Sequence, residues 1–170
     1  MNESSMKLVG VAIPTLRELR AAVLQANDPD AAVMALRDAG YAGGDAVHAA
    51  FEQWLTESGV DSNTGDLALH EFGEKTTKFF RDAGWGEVTF SPDEDEGIAV
   101  LEIDNCWEAD ADSESGGCQI TTGVLAAFFG KIAGYPVSVL ETECSSGGRC
   151  QFMLGNAETM QYQWESQQVQ

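Results

Sequence analysis

The spacing of the apolar residues changes at Gly84-Trp85-Gly86, and this change constrains the fold more than any other feature of the sequence. Before it, apolar side chains recur every three or four residues, which is typical of helices with one buried face. After it, Val88 and Phe90 alternate with polar residues, an acidic turn follows, and alternation resumes at Ile98. Two alternating runs around a turn predict a β-hairpin. Helices followed by strands favour an α+β fold.

We predict four helices before this change in spacing. Thr15 and Glu18 have the T-x-x-E pattern of a capping box, and Asp28-Pro29 is a capping residue followed by proline at the first helical position. The glycine pair Gly43-Gly44 is interpreted as a hinge between the second and third helices. The expected spans are Thr15 onward, Asp28 to Gly40, about Asp45 to Leu55 and about Leu67 to Ala83.

The second half adds one helix and a second hairpin. A helix is expected over Gln119 to Ala133, with Cys118 at its start and Gly134-Tyr-Pro136 after its end. The remaining expected elements are a strand over Val137 to Glu143, a turn at Gly147-Gly148, a strand over Cys150 to Leu154 and a frayed helix in the tail, 156–170.

These elements predict an antiparallel sheet of about four strands packed by helices, with an N-terminal helical layer. We divide the chain into a helical region (1–64), an α+β core (65–155) and a C-terminal tail (156–170), all expected within one compact domain. The sequence is 44% hydrophobic over 170 residues, which is enough to bury a sizeable core.

The charge balance excludes several classes of partner. Nine Lys and Arg against 28 Asp and Glu give a net charge of -19. Such a chain repels nucleic-acid phosphates and anionic membrane surfaces, so we expect neither as a partner. No apolar run reaches the roughly 18 residues of a membrane helix, and we interpret the N-terminus as lacking a signal peptide. A cytoplasmic location is expected, and the acidity also fits a salt-adapted source.

Three of the four cysteines are placed where they can converge. Cys144 and Cys150 flank the turn of the second hairpin, and Cys118 begins the helix expected to pack on it. Three thiolates and one carboxylate would form a tetrahedral zinc site. From the residues alone, buried free thiols and a Cys144–Cys150 disulfide remain open alternatives.

Five segments in this order resemble the 4-vinyl-reductase domain. That domain is similar to the small core subunits of the TRAPP vesicle-tethering complex and to the sensory domain of phenol- and xylene-responsive NtrC-type activators. The resemblance covers roughly Gly65 to Gly155. The segments are Asn105-Cys-Trp-Glu-Ala109, Cys118, Gly123 to Phe129, Glu141-Thr-Glu-Cys144 and Gly147-Gly-Arg-Cys150-Gln-Phe152.

The resemblance implies a zinc ion held by three cysteines and one glutamate. The matching residues are Cys118, Glu141, Cys144 and Cys150, with Glu143 as the fallback carboxylate. Cys106 stands where the family often has serine, so it is interpreted as a small buried residue rather than a ligand. Because four protein ligands leave no open position, the zinc would be structural.

The resemblance also implies a small hydrophobic ligand between the sheet and the helix that begins after Cys118. The matching positions are Leu101, Ile103, Thr122, Phe128 and Val139. Plain core packing is the alternative for each of them. The aromatic sensors have Trp where this chain has Ile103, so a phenol-type ligand is not implied, and an aliphatic or bulkier one suits these side chains better.

We therefore expect a non-enzymatic, zinc-stabilised module that binds a small hydrophobic molecule as a sensor or carrier. Motifs of nucleophilic or phosphate-binding sites are absent from the sequence. A homodimer formed through the helices is expected, with an unknown protein partner for any signalling output. The alternatives are an accessory factor in (bacterio)chlorophyll synthesis and a structural interaction module like the TRAPP subunits. The apolar stripe of Leu69, Phe72, Phe79 and Phe80 could serve the core or the dimer interface.

Overall fold

The computed structural model describes residues 10–59, 69–93, 97–109, 117–145 and 147–167. The boundary expected at residues 64 and 65 lies outside them. The helices are α1 (Ile13–Ala26), α2 (Pro29–Glu57), α3 (Leu69–Asp82), α4 (Gln119–Ala133) and α5 (Ala157–Gln167). The strands are β1 (Glu87–Asp93), β2 (Ile98–Asp104), β3 (Ser138–Cys144) and β4 (Cys150–Gly155).

The four strands form one antiparallel sheet in the order β1-β2-β4-β3. The predicted α+β class is confirmed, as are both hairpins. Leu101 of β2 pairs with Phe90 on one side and with Phe152 on the other, so alternate residues of neighbouring strands share one apolar face. This face packs against α4. Because α2 covers the other side of α4, this helix is buried on both sides and its residues are apolar nearly all round.

The predicted hinge at Gly43-Gly44 is wrong, because α2 is one continuous helix of 29 residues. Glycine is typical of breaks in helices, but here it allows two helices to approach closely. A side chain at Gly40 would overlap the backbone of Ile120, and one at Gly44 would overlap Ala127. Gly123 of α4 faces the backbone of Arg37 in the same way. Packing against α4 therefore offsets the low helix propensity of these glycines.

The two predicted N-caps have different outcomes. The Asp28 side chain accepts hydrogen bonds from the N–H groups of Asp30 and Ala31, at 3.1 and 3.5 Å, as predicted. The capping box at Thr15 and Glu18 is wrong. α1 begins one turn earlier, after Ala12, and has no side-chain cap. Pro14 lies in the first turn of this helix, where its missing N–H costs little.

Phenylalanine rings form the centre of the core. Phe128 of α4 is fully buried and makes edge-to-face contacts with Phe51 and Phe80 at centroid distances of 5.4 and 5.2 Å. Phe72 and Phe79 of α3 are buried in the same cluster. This stripe of α3 is therefore core; the side chain of Leu69 lies outside the described part of the chain.

Candidate metal centre and apolar cavity

Three cysteines and one glutamate converge beside the start of α4. Ligand atoms of Cys118, Glu141, Cys144 and Cys150 all lie within 4.8 Å of one another. The Sγ atom of Cys150 is 3.2 Å from that of Cys118 and 2.8 Å from that of Cys144. These are the four positions that the resemblance implies. Two of them belong to β3, one is the first residue of β4 and one is the residue that precedes α4.

A β-bulge in β3 brings the glutamate and the thiol to the same face of the sheet. Residues three apart in a regular strand point to opposite faces, so Glu141 and Cys144 would diverge. The register shifts between Glu141 and Glu143, and as a result Glu141 pairs with Phe152 while Cys144 pairs with Cys150. Glu143 pairs with Gln151 and is exposed. The bulge therefore favours Glu141 over the fallback carboxylate.

Two carboxylates bind the N-terminal amides of α4. Both oxygens of Glu141 accept the N–H of Cys118, at 3.1 and 2.9 Å. Glu108 accepts the N–H of Ile120 at 2.9 Å and that of Thr121 at 2.7 Å. Free amides and the helix dipole make a helix N-terminus favourable for negative charge. The same end of α4 therefore attracts both the carboxylates and the thiolates of the cluster.

Glu108 is an important residue that the sequence reasoning missed. It is 1% exposed, and its Oε1 lies 3.4 Å from Nε of the buried Arg20. Burial raises the pKa of Glu108, while its hydrogen bonds with the α4 amides and the nearby Arg20 act in the opposite direction. Arg20 also donates to the carbonyl of Gly117 at 2.7 Å. Its sequence signal was its place in the segment Asn105 to Ala109, which supported the resemblance without assigning it a role.

Cys106 is buried, as expected, but it lies against the cluster rather than in plain core. Its Sγ is 3.8 Å from that of Cys118. Hydrogen bonds with Cys118, and to a smaller extent with Cys150, lower the pKa of Cys106. The bond with Cys106 raises the pKa of Cys118 and of Cys150, and burial raises that of Cys144.

The donors fit a zinc ion. Zinc accepts both sulfur and carboxylate oxygen, and Zn–S bonds of about 2.3 Å place tetrahedral sulfur ligands about 3.8 Å apart. The Sγ atoms of Cys118 and Cys144 are 3.7 Å apart, and Cys150, at 3.2 and 2.8 Å from them, would move outward to bind the ion. Gly117, with φ of +70°, lies so close to Glu141 that a side chain there would overlap the carboxylate. The absence of a side chain at Gly117 therefore leaves room for this carboxylate beside the thiols.

The opposite end of α4 borders a cavity of about 410 Å³. It is open to solvent on one side and is lined by residues of α3, the first hairpin, β4 and the C-terminal end of α4. The lining includes Phe72, Phe90, Ala99, Phe129, Ile132 and Leu154. The lining is mostly apolar, with Asp93 and Tyr135 as its polar exceptions.

The five pocket positions expected from the resemblance are not among the residues that line this cavity. Leu101, Ile103 and Phe128 are fully buried in the core, and Val139 packs against it. The Thr122 hydroxyl donates to the carbonyl of Cys118 at 2.8 Å, inside the first turn of α4. The surroundings of these five residues match the plain-core alternative. The cavity lies beyond them, at the C-terminal end of α4.

Known structures share this fold, although no protein-family model and no curated protein matches the sequence. The phenol-responsive sensory domain of the transcription activator PoxR, bound to phenol, has a TM-score of 0.64 at 15% identity. The match covers 89% of this chain and 77% of that one. A trafficking protein particle complex subunit 3 from Naegleria fowleri, covalently bound to palmitic acid, has a TM-score of 0.63 at 14% identity, over 84% and 91% of the two chains.

A third match is a vinyl-4-reductase family protein from Methanocaldococcus jannaschii, at 16% identity over 88% and 98% of the chains. Its TM-score of 0.38 is too low to support a shared fold by itself. The resemblance found in the sequence is thus confirmed at the level of the fold, through the sensory domain and the trafficking subunit. Among the described helices, none is both long and apolar enough to cross a membrane.

Proposed function

We propose that this protein is a non-enzymatic module that binds a small hydrophobic molecule, and that a structural zinc ion holds the fold together. The observation that carries the proposal is the apolar cavity of about 410 Å³ beside the C-terminal end of α4. Its volume lies within the range of small-molecule sites, roughly 300–1,000 Å³. Because the lining is mainly aliphatic and aromatic, the preferred ligand is apolar.

Zinc would be held by Cys118, Glu141, Cys144 and Cys150. When bound, it supplies a closed tetrahedral link between α4 and the second hairpin. The three thiols, which already contact one another, would then share one ion, and Glu141 would keep its hydrogen bonds to the Cys118 N–H. With four protein ligands the ion has no position for a substrate, which favours a binding module over an enzyme.

The two proteins of the same fold support a ligand-binding role. One structure contains phenol and the other contains covalently bound palmitic acid. Both molecules are largely apolar, so this fold is compatible with small apolar ligands of different lengths. By analogy, binding at the cavity would make the protein a sensor or a carrier, with a partner protein receiving the signal.

A second candidate, an interaction module that forms a homodimer, is favoured by exposed apolar side chains on the first two helices. Leu19 of α1 is 60% exposed, and Met34 and Tyr41 of α2 are 65% and 57% exposed. Met34 and Tyr41 are seven residues apart and lie on the same face of α2. A second copy of the chain would bury this face, and sedimentation at micromolar concentration tests the dimer directly.

A cavity-filling variant tests the ligand-binding proposal. Ala99 lines the cavity, while Val100 lies on the opposite face of β2, so Ala99→Phe and Val100→Phe add the same ring on opposite sides. We expect the neutral fluorescent dye Nile red to bind the unaltered protein. Ala99→Phe should reduce its affinity at least about tenfold, and Val100→Phe should not. Equal affinity in all three proteins would contradict binding at this cavity.

A further inference from the structure

A fifth possible donor lies beside the four that form the metal centre. The fifth is Cys106, which is 2% exposed and whose Sγ lies 3.8 Å from that of Cys118. It also interacts with Cys150. The separation of 3.8 Å matches the distance of about 3.8 Å between two sulfur ligands of one tetrahedral ion. Cys106 is therefore placed to bind the same ion as Cys118.

Backbone contacts hold Cys106 in this place. Its N–H donates to the carbonyl of Gly148 at 2.9 Å, inside the turn that joins Cys144 to Cys150. The preceding residue, Asn105, has φ of +57°, a left-handed conformation that asparagine tolerates better than most residues. Gly148, with φ of +85°, packs against the backbone of Asn105. The turn that presents two of the ligands thus also positions the Cys106 segment.

Glu141 has a partner whether or not it binds a metal, because both its oxygens accept the N–H of Cys118. If Cys106 replaced it in the coordination sphere, the carboxylate could stay on this amide. Three thiolates with one carboxylate carry the same charge as four thiolates. In the exchange the Cys106 thiol gives its proton to solvent as it binds the ion, and Glu141 stays ionised on the Cys118 N–H. The set of four ligands therefore becomes softer at unchanged charge.

We propose that Cys106 and Glu141 are alternative fourth ligands of this centre, chosen by the softness of the ion. A borderline ion such as Zn²⁺ binds three thiolates and Glu141. A soft ion such as Cd²⁺ binds the four thiolates of Cys106, Cys118, Cys144 and Cys150, since soft ions prefer sulfur to carboxylate oxygen. This inference rests on the metal centre of the proposed function and adds a preference for thiophilic metal ions.

The ¹¹³Cd NMR shift of the full chain loaded with one Cd²⁺ tests the proposal without any substitution, because this shift increases with the number of thiolate ligands. We expect the shift of a four-sulfur site. A three-sulfur shift with zinc and cadmium both bound would overturn the inference and leave the proposed zinc site intact. Absence of binding for both ions would overturn both.

A crossed pair of variants tests the exchange itself. Competition with a chromophoric chelator gives the affinities for Zn²⁺ and Cd²⁺ in each protein. Cys106→Ser should lower the Cd²⁺/Zn²⁺ affinity ratio at least about tenfold, mainly through weaker Cd²⁺ binding. Replacing a residue that only contacts a metal ligand already lowers metal affinity by about tenfold or more, so the loss of a direct ligand should be at least as large. Glu141→Gln should raise the ratio, mainly through weaker Zn²⁺ binding.

Cys106→Ala provides a second variant without a hydroxyl group, and it should lower the ratio as Cys106→Ser does. If either Cys106 variant is unfolded, the other gives the ratio, and the NMR shift of the unaltered chain still counts the thiolates. A ratio unchanged in both Cys106 variants would overturn the proposal.

Discussion

The two ends of α4 are built in opposite ways. At the N-terminal end, polar groups from three other segments bind the first residues of the helix or the residue before it: Glu141 of β3, Glu108 of the loop after β2, and Arg37 of α2, whose guanidinium donates to Gln119 at 2.8 Å. Arg20 of α1 supports them by pairing with Glu108 and donating to the carbonyl of Gly117. At the C-terminal end, Gly134 closes the helix and the neighbouring side chains leave a cavity.

Under the proposed function, this difference assigns stability to one end of α4 and ligand binding to the other. Hydrogen bonds and the proposed metal ligation are directional, so the backbone at the N-terminal end is held in place whether Glu141 or Cys106 is the fourth ligand. Apolar contacts around a cavity are not directional and tolerate more than one arrangement. A ligand at the C-terminal end would therefore change packing around Ile132 and Phe129 while the other end stays fixed, and this offers a way to transmit binding to a partner.

The largest expected effect comes from removing a metal ligand at the fixed end. Cys144→Ser should lower the free energy of unfolding by several kcal/mol, because structural zinc binding contributes directly to folding. Urea unfolding with and without a strong chelator measures this effect. In excess chelator the variant and the unaltered protein should have nearly equal stability. A loss of the same size in both conditions would mean that Cys144 stabilises the fold without a metal.

Glu108→Gln should have the next largest effect. It leaves the positive charge of Arg20 buried without its carboxylate, which typically costs about 3–5 kcal/mol. The double variant with Arg20→Leu should recover part of this loss, since the uncompensated charge is then removed. Stabilities of the four proteins form a double-mutant cycle. Additive losses would show that the two side chains are not coupled.

The smallest effect is expected at the open end. Ile132 is half-buried and lines the cavity, so Ile132→Ala should cost only about 1 kcal/mol, below the usual range for a fully buried side chain. Leu125, which is fully buried in the middle of α4, is the matched control; Leu125→Ala should cost about 2–5 kcal/mol. Equal losses would contradict the contrast between a packed helix and its open end.

Local patterns in the sequence were sufficient to predict most of the fold. The alternation of Val88 and Phe90 and the cap at Asp28 depend on neighbouring residues, and both predictions are confirmed. The hinge at Gly43-Gly44 was wrong because the role of Gly44 depends on Ala127 of α4, more than 80 positions later in the chain. A glycine that breaks a helix and a glycine that admits a second helix look alike in sequence.

The candidate site was predictable to a similar extent. Cys118, Glu141, Cys144 and Cys150 followed from the resemblance, and the structure brings them together. The bulge that makes this possible could not be predicted, since nothing in Glu141-Thr-Glu-Cys144 marks an extra residue in β3. The position of the cavity also required the structure, because it depends on how side chains from α3, α4 and both hairpins fill the space between them.

The metal content of the purified protein tests the central claim most directly. A native mass spectrum of the chain, prepared without added metal or chelator, should show the protein mass plus one zinc ion, and denaturation should release that ion. One zinc ion is expected because three thiolates and the Glu141 carboxylate at the start of α4 satisfy its tetrahedral coordination. A metal-free mass, with all four thiols titrating freely in the folded protein, would contradict the account.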